Sequence, residues 1–385
     1  GIQISPVWNK SHRAHTTVHS TPAAVRAEAE SAVKTLGWEG DYHVDADHIG
    51  LANVDLFIES SDFFTLDVTA HIGKEPDPAD HDAFMKQNAL YVGRVPVSGL
   101  EEPLVFTEED LHRTSQKFLA GMKEASRIYS HIESVKGKEN FITEVSIDET
   151  ESAQSPKELL LILSALAQFR VPVQTIAPKF TGRFNKGVDY QGDLEAFKRQ
   201  FDADLAVLKF ASEEFGMPEN LKLSVHSGSD KFSLYSIIRE AIQAFDTGLH
   251  IKTAGTTWLE ELIGLAEAGR EGLSMAQQIY TQAYRRFDEL SAPYAEVIDI
   301  QPDHLPKPEE VALWSSEDYT LALRHDPNSG GFNPDFRQLL HIGYKIAAEM
   351  GDRYTQALVD HEEVIAKNVT ENLYERHIRP LFLPT

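Results

Sequence analysis

Three histidines, His48, His226 and His250, each fall at or near the end of a short apolar, β-branched run, and each run carries further ionisable residues. The second run ends in Asp45-Ala46-Asp47-His48 and the third in Asp67. The fourth ends in Glu144-Val145-Ser146-Ile147-Asp148-Glu149, and the fifth leads to Lys179. The sixth leads to His226-Ser227-Gly228-Ser229-Asp230-Lys231, and the seventh carries His250 and Lys252. A single Asp after a strand usually caps a helix or makes a turn. A convergent set is different, because buried ionisable groups are costly unless paired or metal-bound.

Imidazoles on three strands are what a divalent ion would require, and neutral imidazole with oxygen donors suits Zn, Mn, Co or Ni. His48, His226 and His250 are therefore the candidate metal ligands, although with 16 histidines in the chain chance placement is the competing account. Asp47 and Glu144 are the candidate acid/base carboxylates, since a polarised substrate needs groups that accept and return protons. The alternative for either is to complete the metal shell. Lys252 shares a strand face with His250 by period-two alternation, which fits it to orient or protonate a substrate oxygen or to form a structural ion pair.

Around the fifth to seventh runs, Lys179, Arg183, Lys186, Lys231 and Lys252 gather with Gly182, Gly187, Ser227, Gly228, Ser229 and Gly255. Local cations with approachable backbone N–H groups suit a small carboxylate or phosphate. The candidate substrate-binding residues are Lys179, Arg183, Ser227, Ser229, Asp230 and Lys231. No H-E-x-x-H, phosphate-loop, G-x-S-x-G or G-x-G-x-x-G pattern occurs, so metalloprotease, nucleotide, serine-hydrolase and dinucleotide motifs are without support. His12, His15 and His19 would make a metal face on a helix, but Thr16-Thr17-Val18 favours a loop; His325-Asp326-Pro327-Asn328 reads as a turn; and Arg337, Gln338 and His341 share one face of a late helix, used for packing or, alternatively, to close the mouth of the site.

Eight short runs could position these groups. They are Ile2 to Trp8, Tyr42 to His48, Phe63 to Val68, Phe141 to Ile147, Val171 to Ala177, Leu221 to His226, Leu249 to Thr253 and Ala295 to Ile300. Long stretches of helical periodicity lie between them. Ser155-Pro156-Lys157-Glu158 predicts a capped helix start, and Thr107-Glu108-Glu109-Asp110 predicts another. Eight strands alternating with helices predict an α/β chain folded as a (β/α)8 TIM-type barrel, whose active site gathers at the C-terminal strand ends. An open doubly wound sheet is the alternative. Residues 1–385 are expected to form a single barrel domain, with an insertion at 73–105 after the third strand and a helical extension at 306–385.

Composition narrows the functional classes. The chain has 385 residues with 36 Lys+Arg against 60 Asp+Glu, a formal net charge of −24, which argues against nucleic acid as a partner. It has no cysteine, hence no disulfide and no thiolate metal site. The longest apolar run, Leu159 to Ala167, is too short to cross a bilayer, so no membrane association is expected. Gly1 to Ser5 shows no signal-peptide pattern, and the cytoplasm is the default location. Oligomeric state is left open.

The ordered motifs Val44-Asp45-Ala46-Asp47-His48, Val145-Ser146-Ile147-Asp148-Glu149-Thr150, Lys186-Gly187-Val188-Asp189-Tyr190, Leu223 to Ser233 around His226, and His250-Ile251-Lys252-Thr253-Ala254-Gly255-Thr256 resemble the tagaturonate/fructuronate epimerase family of hexuronate catabolism. The resemblance runs from about Pro6 to His341. It implies a metal-dependent epimerase acting on ketohexuronates, with metal and acid/base groups at His48, His226, Asp47 and Glu144; His250 is added on geometric grounds. The inverted carbon is not next to the ketone, so simple deprotonation is disfavoured. A retro-aldol path is expected instead, in which a carboxylate takes the hydroxyl proton, the C–C bond opens to an enediolate and an aldehyde, and the aldehyde rotates before re-addition. Another metal-dependent sugar isomerase or aldolase, an epimerase of a neutral ketohexose such as tagatose or fructose, and a non-catalytic sugar-acid binder are the alternatives.

Overall fold

The computed structural model describes residues 2–383 and separates into two compact units. The first comprises Gly1–Thr181, Glu195–Val225 and Glu240–His250; the second comprises Gly182–Leu194, His226–Arg239 and Ile251–Thr385.

The first unit is built on a parallel sheet. Its strands are β1 (Val7–Ser11), β2 (His43–Ile49), β3 (Phe63–Asp67), β6 (Ile142–Ser146), β7 (Thr175–Ala177), β8 (Lys222–Val225) and β9 (Leu249–Ile251), in the order β1-β2-β3-β6-β7-β8-β9. The segment expected as an insertion holds the helix Pro78–Asn88 and an antiparallel pair, β4 (Gly93–Val95) and β5 (Leu104–Phe106). Alternation along each sheet strand sorts the side chains. Ala46, Phe64, Leu66, Val145, Ile176 and Leu223 are fully buried, and the residues between them, Asp45, Thr65, Glu144, Thr175 and Ser224, are buried and polar. The apolar set is what flanking helices need to cover. The helix Glu108–Lys136 starts at Thr107 with a capping box to Asp110, and Pro156–Gln168 starts at Ser155 with one to Glu158, as the two sequence signals predict.

The eighth expected strand, Ala295 to Ile300, is not a strand. Its backbone is used otherwise. The Val297 carbonyl accepts from the Lys186 N–H at 2.8 Å, and the Asp299 N–H donates to the Gln338 side chain at 2.9 Å. Pro293 and Pro302 bracket the segment, and neither has an N–H to give a ladder. Among the described residues β1 and β9 are the ends of the sheet order, so the fold is α/β with seven parallel strands, and the closed eight-stranded cylinder is not seen.

The second unit packs Leu262, Ile263, Ile279, Tyr280, Phe336 and Leu339 into a core, with the Tyr280 and Phe336 ring centres 4.5 Å apart. Its C-terminal part is helical and includes a π-helical stretch at Glu371–Ile378. No helix of the described residues is long and apolar enough to cross a membrane.

Candidate active site

A transverse row of polar side chains crosses the sheet of the first unit. Glu144 on β6 is paired in register with Thr65 on β3 and Thr175 on β7. The Thr175 hydroxyl donates to Glu144 Oε2 at 2.8 Å. The Thr65 hydroxyl lies 3.2 Å from Glu144 Oε1 and 3.1 Å from each oxygen of Asp45. His250 Nδ1 on β9 is 2.7 Å from Glu144 Oε2 and 2.9 Å from the Ser224 hydroxyl. A carboxylate only accepts, so the proton sits on Nδ1 and the chemistry of this imidazole falls to Nε2. Glu144 is sealed from solvent. Phe63 stacks obliquely on the His250 ring at 4.9 Å and closes that side.

The end of β2 holds a second constellation. The pairing of β2 with β3 shifts between Ala46 and Ile49, so β2 carries one more residue than its partner there. His48 has φ +51°, a left-handed backbone that is uncommon outside glycine. The bulge re-aims the ring. His48 Nδ1 is 3.7 Å from Asp67 Oδ2, and Nε2 is 3.8 Å from Asp47 Oδ1. Burial by itself would raise the Asp67 carboxyl, but hydrogen bonding from His48 and from the Thr69 backbone N–H brings it below its usual range. His48, Asp67 and Glu149 each offer a donor atom within 4.8 Å of the others, and Asp148 brings a carboxylate oxygen within the same distance of His48. One imidazole with carboxylates and no thiolate is a donor set suited to a borderline divalent ion such as Zn, Mn, Co or Ni. His250 lies outside this group, and Asp67 and Glu149 are the donors that sequence reasoning noted as strand ends without assigning them to metal.

The substrate-binding candidates have varied surroundings. Lys179, after β7, directs its ammonium to the Thr150 carbonyl, and its N–H donates to Gln154 at 2.6 Å, tying two loops of the first unit. Arg183 is exposed and pairs with Asp299 at 3.3 Å. Lys231 is buried, and its ammonium donates to the carbonyls of Asn185 at 2.9 Å, Val188 at 2.8 Å and Ser229 at 2.9 Å. Burial lowers its pKa to about 8, so it stays charged at neutral pH.

Asp230, with φ +62°, is also sealed from solvent. It accepts from Arg337 at 2.9 Å and from the Thr256 hydroxyl at 3.1 Å, while its own N–H donates to His377 Nε2 at 3.0 Å. Burial would raise this carboxyl, but the Arg337 charge, with His325 and His377, holds it well below the usual range. Arg337 also donates to the carbonyls of Gly187 and Leu323, each at 2.7 Å. The loops bearing Lys186-Gly187-Val188 and Ser227-Gly228-Ser229 are thus fastened by buried charges. Ser227 has φ +50°, and the Gly228 N–H donates to the Lys252 carbonyl at 3.1 Å. His226 directly follows β8 in the chain and is 9% exposed.

Two minor expectations change. The His12 segment is helical, not a loop, because the Ser11 hydroxyl caps it by accepting from the Ala14 N–H. His15 then packs on Phe57 and bonds to Ser20 at 2.9 Å, a structural use. His325 does sit at a turn, as expected, and is buried, with its ring against Phe232 and Phe332.

The family profile described as UxaE, tagaturonate epimerase, matches residues 1–381. The tagaturonate/fructuronate epimerase of Thermotoga maritima is 28% identical over 356 residues, covering 89% of this chain and 68% of the relative. A glycerol-complexed crystal structure of the fructuronate-tagaturonate epimerase UxaE from Cohnella laeviribosi superposes with TM-score 0.80 at 24% identity, covering 97% of this chain and 75% of that one. The native crystal form of that protein gives 0.77 at 24%. At such identities the structural likeness speaks for a shared fold.

Proposed function

The chain belongs to the UxaE tagaturonate epimerase family, and from that premise we propose that it interconverts D-tagaturonate and D-fructuronate, using a divalent metal ion and retro-aldol chemistry. The observation that carries this reading is the pairing, in one unit, of a carboxylate–imidazole couple, Glu144 and His250, with a donor set at the end of β2.

His48, Asp67 and Glu149, joined by Asp148, would hold the ion, with His226 proposed as a further donor on the strength of its sequence motif. When bound, such an ion supplies a Lewis acid that polarises the ketone oxygen. Asp47, half-buried beside His48, takes the proton of the hydroxyl on the carbon to be inverted. The bond between that carbon and its neighbour on the ketone side then breaks. Its electron pair passes to the ketone side as an enediolate, and the departing fragment becomes an aldehyde. Rotation of the aldehyde followed by re-addition inverts the centre, and Asp47 returns its proton to the new alkoxide. Glu144 works through His250, fixing the tautomer so that Nε2 presents a lone pair or, once protonated, a donor to a substrate oxygen. Lys252 is proposed to orient or protonate another substrate oxygen.

The test is turnover of D-tagaturonate by the purified protein, followed by NMR in deuterated water before and after chelation. Conversion to D-fructuronate that stops with the chelator, without deuterium at the inverted carbon, is the expected result. Deuterium at that carbon would exclude the retro-aldol path, and no conversion with any divalent ion would exclude the function.

A further inference from the structure

Asp148 and Glu149 sit in the loop that joins β6 to the helix Pro156–Gln168, the first half-buried and the second exposed. Their chain neighbours, Ile147 and Thr150, are buried. Asp67 and Glu149 offer oxygens within 4.8 Å of each other, a spacing at which two carboxylates repel. Something in the fold must therefore hold this loop before an ion arrives.

Gln154, 1% exposed, is the centre of that hold. Its Oε1 accepts from the Lys179 N–H at 2.6 Å, and its Nε2 donates to the Thr150 hydroxyl at 2.8 Å and to the Ser152 carbonyl at 3.0 Å. Its own N–H donates to the Lys179 carbonyl at 3.2 Å, and its carbonyl accepts from Gln200 Nε2 at 3.0 Å. The Lys179 ammonium adds a donor to the Thr150 carbonyl. Thr150 in turn donates through its hydroxyl to the Ile147 carbonyl at 3.1 Å, and the Ile147 N–H donates to the Ala177 carbonyl of β7 at 3.0 Å. The residues on both sides of Asp148-Glu149 are thus tied to β7 and the segment that follows it, all within the first unit.

We propose that Gln154 and Lys179 are positioning residues for the divalent ion: acting through Thr150, they hold Asp148 and Glu149 within ligating reach of His48. This rests on the metal reading above and deepens it, since it says what keeps the donor set assembled. Lys179 thereby has a use inside the protein in place of the sugar contact expected from its charge. A loop ordered in advance spares the ion the cost of ordering it, so untying the loop weakens affinity. The sign separates this role from plain electrostatics. Lys179 is a cation tied to the donor loop, so removing its charge with no other effect would tighten the binding of a divalent ion.

The experiment is calorimetric titration of the metal-free full chain with Mn, Co, Ni and Zn ions in turn, the tightest-binding ion being carried to Gln154→Met, Lys179→Met and Lys179→Arg. Dissociation constants are expected to rise about tenfold or more in Gln154→Met and Lys179→Met. They should return towards the wild-type value in Lys179→Arg, whose guanidinium can still donate to the Thr150 carbonyl. Gln154→Met changes a sealed site, and if melting curves show that it does not fold, the Lys179 pair decides. Unchanged affinity in a folded Met variant, tighter binding by Lys179→Met, or no recovery in Lys179→Arg overturns the proposal and leaves the metal reading standing. A wild type that binds none of the four ions overturns the metal reading and this proposal with it.

Discussion

Glu144 Oε2 and His250 Nδ1 lie 2.7 Å apart, although β6 and β9 are separated by three strand spacings in the sheet. In a flat sheet that separation would be roughly 14 Å, at about 4.8 Å per spacing. The sheet must therefore curl with its polar face on the concave side, and this contact spans the curl. Thr65, Thr175 and Ser224 fill the same concave face, so one row of period-two positions lines it from β2 to β9.

The first prediction follows from that contact. Glu144→Gln replaces an obligate acceptor by a group that can donate, which releases the His250 tautomer. The expected result is a fall in kcat of about 100-fold or more with KM for D-tagaturonate nearly unchanged, read from steady-state kinetics. Thr175→Val, which removes only one donor to the same carboxylate, is expected to give a smaller loss. Equal kcat in Glu144→Gln and wild type would remove this couple from the chemistry.

The donor set at the end of β2 makes a separate prediction. His48→Ala is expected to lose bound divalent ion and turnover together, whereas Asp67→Asn should weaken metal affinity by about tenfold or more and recover turnover at higher metal concentration. Elemental analysis of each variant, paired with rates after adding Mn, Co, Ni or Zn, decides the matter. Full metal content in His48→Ala would move the ion elsewhere.

Much of this arrangement was legible in the chain itself. Seven of the apolar runs become the strands of the parallel sheet, and the alternation that hides Phe64 and Leu66 while presenting Thr65 is a local property of the sequence. Ala295 to Ile300 has the same β-branched composition but spends its backbone groups on Lys186 and Gln338, partners more than thirty residues away that no window reveals. Charge patterning marks Lys231 as one of several loop cations but says nothing of how it is used, because three backbone carbonyls around one ammonium are a tertiary fact. Asp67 and Glu149 were visible as strand-end acids. Their approach to His48 depends on the bulge in β2, which the motif Asp45-Ala46-Asp47-His48 does not announce.

Asp230 and Arg337 form an ion pair of which neither side chain reaches solvent. Removing one partner leaves the other buried and uncompensated, so Asp230→Asn or Arg337→Met is expected to destabilise by about 3–5 kcal/mol in urea unfolding. The sign of the pH dependence follows from the depressed carboxyl. Its folded pKa lies well below the unfolded value near 3.8, so the stabilisation is complete above about pH 5 and is lost as the pH falls through the folded value. The difference between wild type and Asp230→Asn is therefore expected to shrink in acid; a constant difference down to the lowest measurable pH would show that the charge is not what stabilises.

Glu260 makes the opposite pH prediction in the same unit. It is 1% exposed on the helix Ala254–Glu267, and Asn372, from the π-helical stretch, donates to its Oε1 at 2.9 Å. Burial dominates and raises its pKa to about 7, with Arg337, Arg324 and Arg376 opposing the rise and Asp230 adding to it. Because the folded value exceeds the unfolded one of about 4.5, the folded chain binds the extra proton between these two pH values, and stability falls as the pH rises from about 4.5 to about 7 before levelling. Glu260→Gln keeps the oxygen that Asn372 donates to and has no charge to bury. It is expected to match the protonated wild type near pH 4.5 and to be more stable than wild type above pH 7 by up to roughly 3 kcal/mol, from about 1.36 kcal/mol per pKa unit. Urea unfolding of both proteins across pH 4.5–8 reads this directly. Parallel stability curves would mean that the carboxylate is solvated or paired in the folded chain and that its burial carries no such penalty.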